Sequence, residues 1–208
     1  MHQEVLTNDG AALLPMLSRF SGFYLAGGTA LALQIGHRVS IDFDLFRDES
    51  ISPSLLPRVE HTFSFPAVPL VNNSDELTVI VNGVKITFLN YPFPLLLPFD
   101  EYYEGLPLLS VREIAATKAY TIGRRGSYKD YVDLFFVLAE RHTTLAEIIA
   151  NAEKKYGDAF NARLFLEQLV YLGDVQDTEI PFLKELVTPR QLLSFFEDTI
   201  RAAAQDIV

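Results

Sequence analysis

Two aspartates, Asp42 and Asp44, stand one residue apart in an otherwise apolar run. They close the stretch GGTALALQIGHRVSIDFDLF, residues 27–46. In a strand, successive side chains face opposite ways. Ile41, Phe43 and Leu45 then point to a core, and Asp42 and Asp44 to a cleft or to solvent. At about 3.3 Å per residue their Cα atoms lie about 6.6 Å apart. Two carboxylates on one face repel, and each resists desolvation. A hard dication held between them offsets both costs, and Mg²⁺ suits a few carboxylates completed by phosphate oxygens. The plainer alternative is an exposed edge strand carrying two solvated acids.

The flanking residues point to phosphate. Gly27 and Gly28 follow the strand-like FYLA and precede a helix-forming stretch. Glycines there let the backbone approach a ligand, and helix N-terminal N–H groups favour anions. Thr29 adds a hydroxyl. Arg38 and Ser40 come just before the acids, placed to contact a phosphate or to fix the turn, and Arg38 equally fits as a structural partner of an aspartate. A second group lies downstream. Val111, Ile114, Lys118 and Ile122 are spaced by three and four, so they share one helix face. A lysine on an apolar stripe either snorkels to solvent or reaches into a cleft. Asp130 and Asp133 lie beside the next helix's stripe of Tyr131, Leu134, Phe135 and Leu138. They suit the helix dipole or a salt bridge to Arg124, Arg125 or Lys129.

These groups need elements to position them. AALLPMLSRF reads as a helix and FYLAG as a strand. GTALALQIG is a helix that Gly36 stops, SIDFDLF a strand, and PSLLPRVEHTF a helix. LTVIVNGVKITFLNYPF alternates around Asn82-Gly83, a strong hairpin signal. LPLLS is a short extended piece. From Ser110 the texture turns helical: SVRE is a capping box, helices follow to about Arg124 and over 128–140, and TLAE opens a third with Thr144 and Glu147. NARLFLEQLVYLG and PRQLLSFFEDTIRAAAQD are two more. The fold class expected is α+β: a mixed sheet flanked by helices over residues 1–105, then a helical bundle over 106–208 that completes the cleft.

Composition excludes several classes. The 208 residues contain no cysteine, which removes disulfides, thiolate metal sites and cysteine nucleophiles. A net charge of −10 argues against nonspecific wrapping of nucleic acid but leaves room for a local basic pocket around Arg124, Arg125 and Lys129. The most apolar stretch, ITFLNYPFPLLLPF, is broken by prolines and falls short of a membrane span. MHQEVLTNDG lacks a basic segment followed by an apolar one, so no signal peptide is expected and a cytoplasmic location is the default.

The combination resembles the AbiEii/AbiGii nucleotidyltransferase toxin family, within the DNA polymerase β-like superfamily. The family's Gly-Gly-Ser/Thr turn and His-Arg-x-Ser-x-Asp-x-Asp-Leu run correspond here to Gly27, Gly28 and Thr29, then His37, Arg38, Ser40, Asp42, Asp44 and Leu45. The block REIAATKAYTIGRRGSYKDYVDLFFVL is similar to the family's paired helices, with Lys118, Arg124, Lys129, Asp130 and Asp133 in matching places. The likeness covers roughly residues 20–140. It implies transfer of a nucleoside monophosphate from an NTP to an acceptor such as tRNA, with Mg²⁺ or Mn²⁺ on Asp42 and Asp44. Gly27, Gly28, Thr29, Arg38, Ser40 and Lys118 would bind the nucleotide, and Asp130 would orient or deprotonate the acceptor. A cognate antitoxin is implied as a partner, and no membrane.

One position departs from the pattern. Superfamily enzymes commonly carry a third carboxylate on a neighbouring strand. In VKITF the cleft-facing residues are Lys85 and Thr87, and Thr87 occupies the slot. Asp75, Asp100 and Glu101 are substitutes that no spacing supports. The competing reading is therefore a catalytically inactive nucleotide- or partner-binding protein on the same fold. An Asp-x-Asp glycosyltransferase fragment gives no account of the Lys118 block.

Overall fold

The computed structural model describes residues 1–99, 101–173, 175 and 179–205. The chain forms two compact units: residues 1–93 with 98–110, and residues 94–97 with 111–208.

The first unit is a mixed sheet with helices. Its strands are β1 (Tyr24–Ala26), β2 (Phe43–Arg47), β3 (Ala67–Asn72), β4 (Glu76–Val81), β5 (Val84–Asn90), β6 (Glu101–Tyr103) and β7 (Leu106–Leu108). Among the described residues they make one seven-stranded sheet in the order β3-β4-β5-β2-β1-β7-β6. Helices α1 (Asn8–Leu17), α2 (Gly27–Ile35) and α3 (Leu55–Phe63) complete the unit. The sheet buries Phe43, Leu45, Leu77, Val79, Ile86 and Phe88. Rings of Phe20 and Phe23 pack on Phe88 at centroid distances of 4.9 and 5.2 Å.

Local chemistry explains these elements. Thr7 caps α1 by accepting from the Gly10 amide. Gly36 ends α2 in the left-handed region at φ 67°, where its N–H returns to the Ala32 carbonyl. Asn82 and Gly83 both take positive φ, 47° and 77°, as a two-residue hairpin turn demands. Glu104 and Gly105 do the same between β6 and β7, at 45° and 87°. That second hairpin sits in EYYEGLP, which sequence alone presents as a domain junction. β3 escapes the sequence reading because Pro69 interrupts it. Proline is tolerated on an edge, and β3 is an edge with a register shift between Pro69 and Val71.

One core assignment needs correction. Ile41 does not join Phe43 and Leu45 inside; it is 50% exposed. β2 begins only at Phe43, and the residues before it follow a different course, with Ser40 bridged to Leu6. The alternation of a strand does not reach back to a residue outside it.

The second unit is helical: α4 (Val111–Arg125), α5 (Tyr128–Ala139), α6 (Leu145–Tyr156), α7 (Ala162–Leu169) and α8 (Pro189–Gln205). α4 packs against α5, α6 and α7, and α5 against α8. α5 is buried around most of its girth, including Tyr128, Val132, Asp133, Phe136 and Val137. The expected narrow stripe was therefore too narrow, because α5 meets helices on more than one side. Thr144 and Glu147 form the expected capping box of α6. Residues 94–97 are bound to this unit by a buried ion pair. Lys155 Nζ lies 2.6 Å from Glu113 Oε2 and donates to the Pro94 carbonyl at 2.9 Å, while Glu113 Oε1 accepts from the Leu96 and Leu97 amides.

Candidate active site

In the first unit, β1 and β2 run antiparallel with Ala26 opposite Asp44. Ala26 is the residue before α2, so the register sets Asp44 beside the helix's first residue, Gly27. Gly27 has φ 66°, and a Cβ there would overlap Asp44 Oδ2 and stand 3.2 Å from its Cγ. The glycine supplies both the backbone conformation and the space that the carboxylate occupies. No side chain hydrogen-bonds as an N-cap on α2, since its cap residue is Ala26. The helix's first amides are thus the kind of donors that bind anions.

Thr29 and Ser40 are buried, at 2% and 9% exposure. Their hydroxyls lie 2.7 Å apart, and Thr29 Oγ1 also donates to the Asp42 carbonyl. They tie the start of α2 to the aspartate strand. Gly28 is the second residue of α2. Arg38 is buried at 3% exposure and donates to the Val39 carbonyl at 3.0 Å.

β2 pairs in parallel with β5, with Asp44 opposite Thr87, and β5 pairs with β4, with Thr87 opposite Thr78. One face of the sheet therefore presents Asp44, Thr87, Thr78 and Glu76. The Thr87 hydroxyl is hydrogen-bonded to that of Thr78 at 3.1 Å, and Thr78 donates to Glu76 Oε1 at 2.6 Å. Lys85 projects from the same face, and its Nζ lies 3.0 Å from Asp42 Oδ2. That hydrogen bond raises the Lys85 pKa against the opposing effect of burial, with further help from the charges of Asp42, Asp44 and Glu76. Sequence reading named Lys85 only as Thr87's companion. Its charge on the acid-bearing face was the signal. Asp75 lies in the turn before β4, where its amide bonds to Asn73. Glu101 is exposed on β6. Asp100 lies outside the described residues.

A hard divalent cation fits this donor set. Asp42, just before β2, and Asp44, on it, offer anionic oxygens that both act on the Lys85 ammonium, whose contact with Asp42 shows that acid accepting a cation. Among the described residues, no group of three or more His, Asp or Glu side chains gathers as a metal cage. Two carboxylates with the balance from phosphate oxygens and water match Mg²⁺ coordination.

In the second unit, Lys118 is buried at 8% exposure and does not snorkel. Its Nζ lies 2.7 Å from Asp130 Oδ1 and 2.6 Å from Asp133 Oδ2, and the Asp133 side chain is fully buried. Asp130 also serves as the N3 acid of a capping box, accepting at Oδ2 from the Ser127 amide and hydroxyl, each at 2.8 Å. Asp130 therefore pairs with Lys118 rather than with the arginines. Beside this trio, burial and the nearby Asp130 charge push the Tyr131 hydroxyl pKa up to about 12. Arg124 donates to the Ala159 carbonyl at 2.9 Å and lies over the Tyr120 ring.

The fold is that of nucleotidyltransferases. A putative nucleotidyltransferase from H. pylori matches it with a TM-score of 0.51 at 17% identity, over 93% of this chain and 92% of that one. MenT4, a nucleotidyltransferase toxin from Mycobacterium tuberculosis H37Rv, matches with a TM-score of 0.57 at 19% identity, over 92% and 84%. The model of the nucleotidyl transferase AbiEii toxin family, of type IV toxin–antitoxin systems, matches residues 12–93 and 62–206, and this chain belongs to that family. The uncharacterized protein aq_aa25 of Aquifex aeolicus (strain VF5) is 34% identical over 165 residues, which is 74% of this chain and 76% of that protein.

Proposed function

We propose that this protein is a Mg²⁺- or Mn²⁺-dependent nucleotidyltransferase that moves a nucleoside monophosphate from an NTP to a hydroxyl of an RNA such as tRNA. It acts as the toxin of a toxin–antitoxin pair, in the cytoplasm. The observation that carries the reading is the seat of Asp44: a carboxylate lodged against Gly27 at the start of α2, with Asp42 just before the strand and both acids acting on the Lys85 ammonium.

In this reaction an acceptor oxygen attacks the α-phosphorus. The new P–O bond forms as the α–β phosphoanhydride breaks, pyrophosphate leaves, and the hydroxyl proton passes to a base. Most of the catalysis is positioning and electrostatics. A bound divalent ion supplies Lewis-acid charge to the triphosphate. Asp42 and Asp44 are the residues that would hold it. Gly27 and Gly28 offer backbone amides to phosphate oxygens, while Thr29 and Ser40 hold the aspartate strand against the turn. Arg38, so close to the acids in sequence, adds positive charge to the nucleotide site. Lys118 is assigned to the charge that develops on pyrophosphate, by its place in the family pattern. Asp130 holds that amine and is the candidate to orient the acceptor.

The test is incubation with α-labelled NTPs, Mg²⁺ and total RNA. Label should enter RNA, and Asp42→Ala or Asp44→Ala should abolish it. One observation favours a second reading, a silent nucleotide- or partner-binding protein: Thr87 stands opposite Asp44 where a third carboxylate would serve. Nucleotide binding without label transfer, for every NTP tried, would establish that reading instead.

A further inference from the structure

The aspartate pair carries its own cation. Lys85 Nζ lies 3.0 Å from Asp42 Oδ2, and the lysine projects from β5, which is hydrogen-bonded on both sides, to β4 and to β2. The strand that could have supplied another carboxylate supplies an ammonium and a neutral hydroxyl instead. Thr87 is opposite Asp44 and hydrogen-bonded to Thr78, which in turn is bound to Glu76. Asp42, Asp44 and Lys85, with Glu76 on the same face, together sum to a charge of −2.

We propose that Lys85 is a resident cation of this site, standing where a second divalent ion would otherwise be held, so that the chain takes one divalent ion at Asp42 and Asp44 rather than two. The inference rests on the assignment of those aspartates to metal. Two-metal sites hold their ions about 3.5–4 Å apart and need enough anionic oxygen to screen them. Here three carboxylates, counting Glu76 that is bonded to Thr78, face two dications plus an ammonium, and the excess positive charge disfavours the second ion. A single ion remains favourable, because Lys85 is 42% exposed and its long stem lets the ammonium draw aside. The Lys85 side chain thus weakens the first ion's affinity and excludes the second.

The experiment is titration of the nucleotide-free protein with Mn²⁺, followed by electron paramagnetic resonance of the free ion. The wild type should bind one Mn²⁺ per chain. Lys85→Met keeps the apolar stem and removes the charge, and it should tighten binding about tenfold. Lys85→Arg keeps the charge and should bind as the wild type does. The double variant Lys85→Met/Thr87→Asp should bind two ions. Two ions on the wild type, or Lys85→Met affinity within twofold of it, would overturn the inference while leaving the aspartate assignment intact. Asp44→Asn separates the two ideas: Mn²⁺ binding that it does not weaken, in the wild-type or Lys85→Met background, removes the aspartate assignment and this inference with it.

Discussion

Replacing Gly27 with alanine tests whether the seat of Asp44 is built by backbone or merely adjacent to it. Two costs can be separated. The first is conformational: Gly27 has φ 66°, and an L residue in the left-handed region costs about 1–2 kcal/mol. For a chain of this size that corresponds to a fall in Tm of about 2–8 °C. The second is steric: the new methyl would overlap Asp44 Oδ2 and stand 3.2 Å from its Cγ. Optimal carbon contacts lie at about 3.5–4.0 Å, so the carboxylate must give way by about 1 Å. A carboxylate at the end of a rotatable side chain moves at little cost to stability. A displacement of that size in a reacting centre costs about a hundredfold in rate. Gly83→Ala is the matched control. Gly83 has φ 77° and would meet nothing within 4 Å, so it carries the first cost without the second. Melting curves and label transfer from α-labelled NTP should therefore diverge. Both variants should lose similar stability, and only Gly27→Ala should lose transfer and Mn²⁺ affinity. If Gly27→Ala binds Mn²⁺ and transfers label as Gly83→Ala does, the reasoning from that contact is wrong.

Lys118→Met leaves Asp130 and Asp133 without their shared cation, one of them fully buried, and should cost about 3–5 kcal/mol in a denaturant titration; a loss below about 1 kcal/mol would contradict the ion-pair role. Glu147 titrates below the ordinary carboxylate range because Thr143 and the Thr144 amide donate to it. A depressed folded pKa stabilises above the unfolded value of about 4.3, and that stability is lost as pH falls through the folded pKa. Wild type should therefore melt above Glu147→Gln at neutral pH, by a small margin because the side chain is 46% exposed, and the gap should close below about pH 4. A gap that does not narrow at all between neutral pH and pH 3 would show that the charge is not its source.

Much of the site's vocabulary was legible in the chain, because it is written in local rules. Gly36 and Asn82-Gly83 announce positive φ, Thr144 and Glu147 announce a cap, and the period-two run around Phe43 announces a strand. The expectation that alternation puts both acids on one strand face holds for Asp44 alone, since Asp42 precedes β2, and what joins the two acids is Lys85. Local rules also misled where an element ended sooner than its pattern. Ile41 looks like a core residue of the aspartate strand and is half exposed, because the strand starts two residues later.

By itself, then, the sequence determined which residues carry charge, which backbone positions need glycine, and which family pattern they spell. The tertiary structure decided which charges meet. Register between distant strands set Asp44 against Gly27 and brought Lys85 onto Asp42, and packing of α4 against α5 closed Lys118 between Asp130 and Asp133. The physical reason is range: capping, turn and alternation signals act over a few residues. Coulombic pairing depends instead on ångström-scale distances between segments that only the folded sheet and bundle fix.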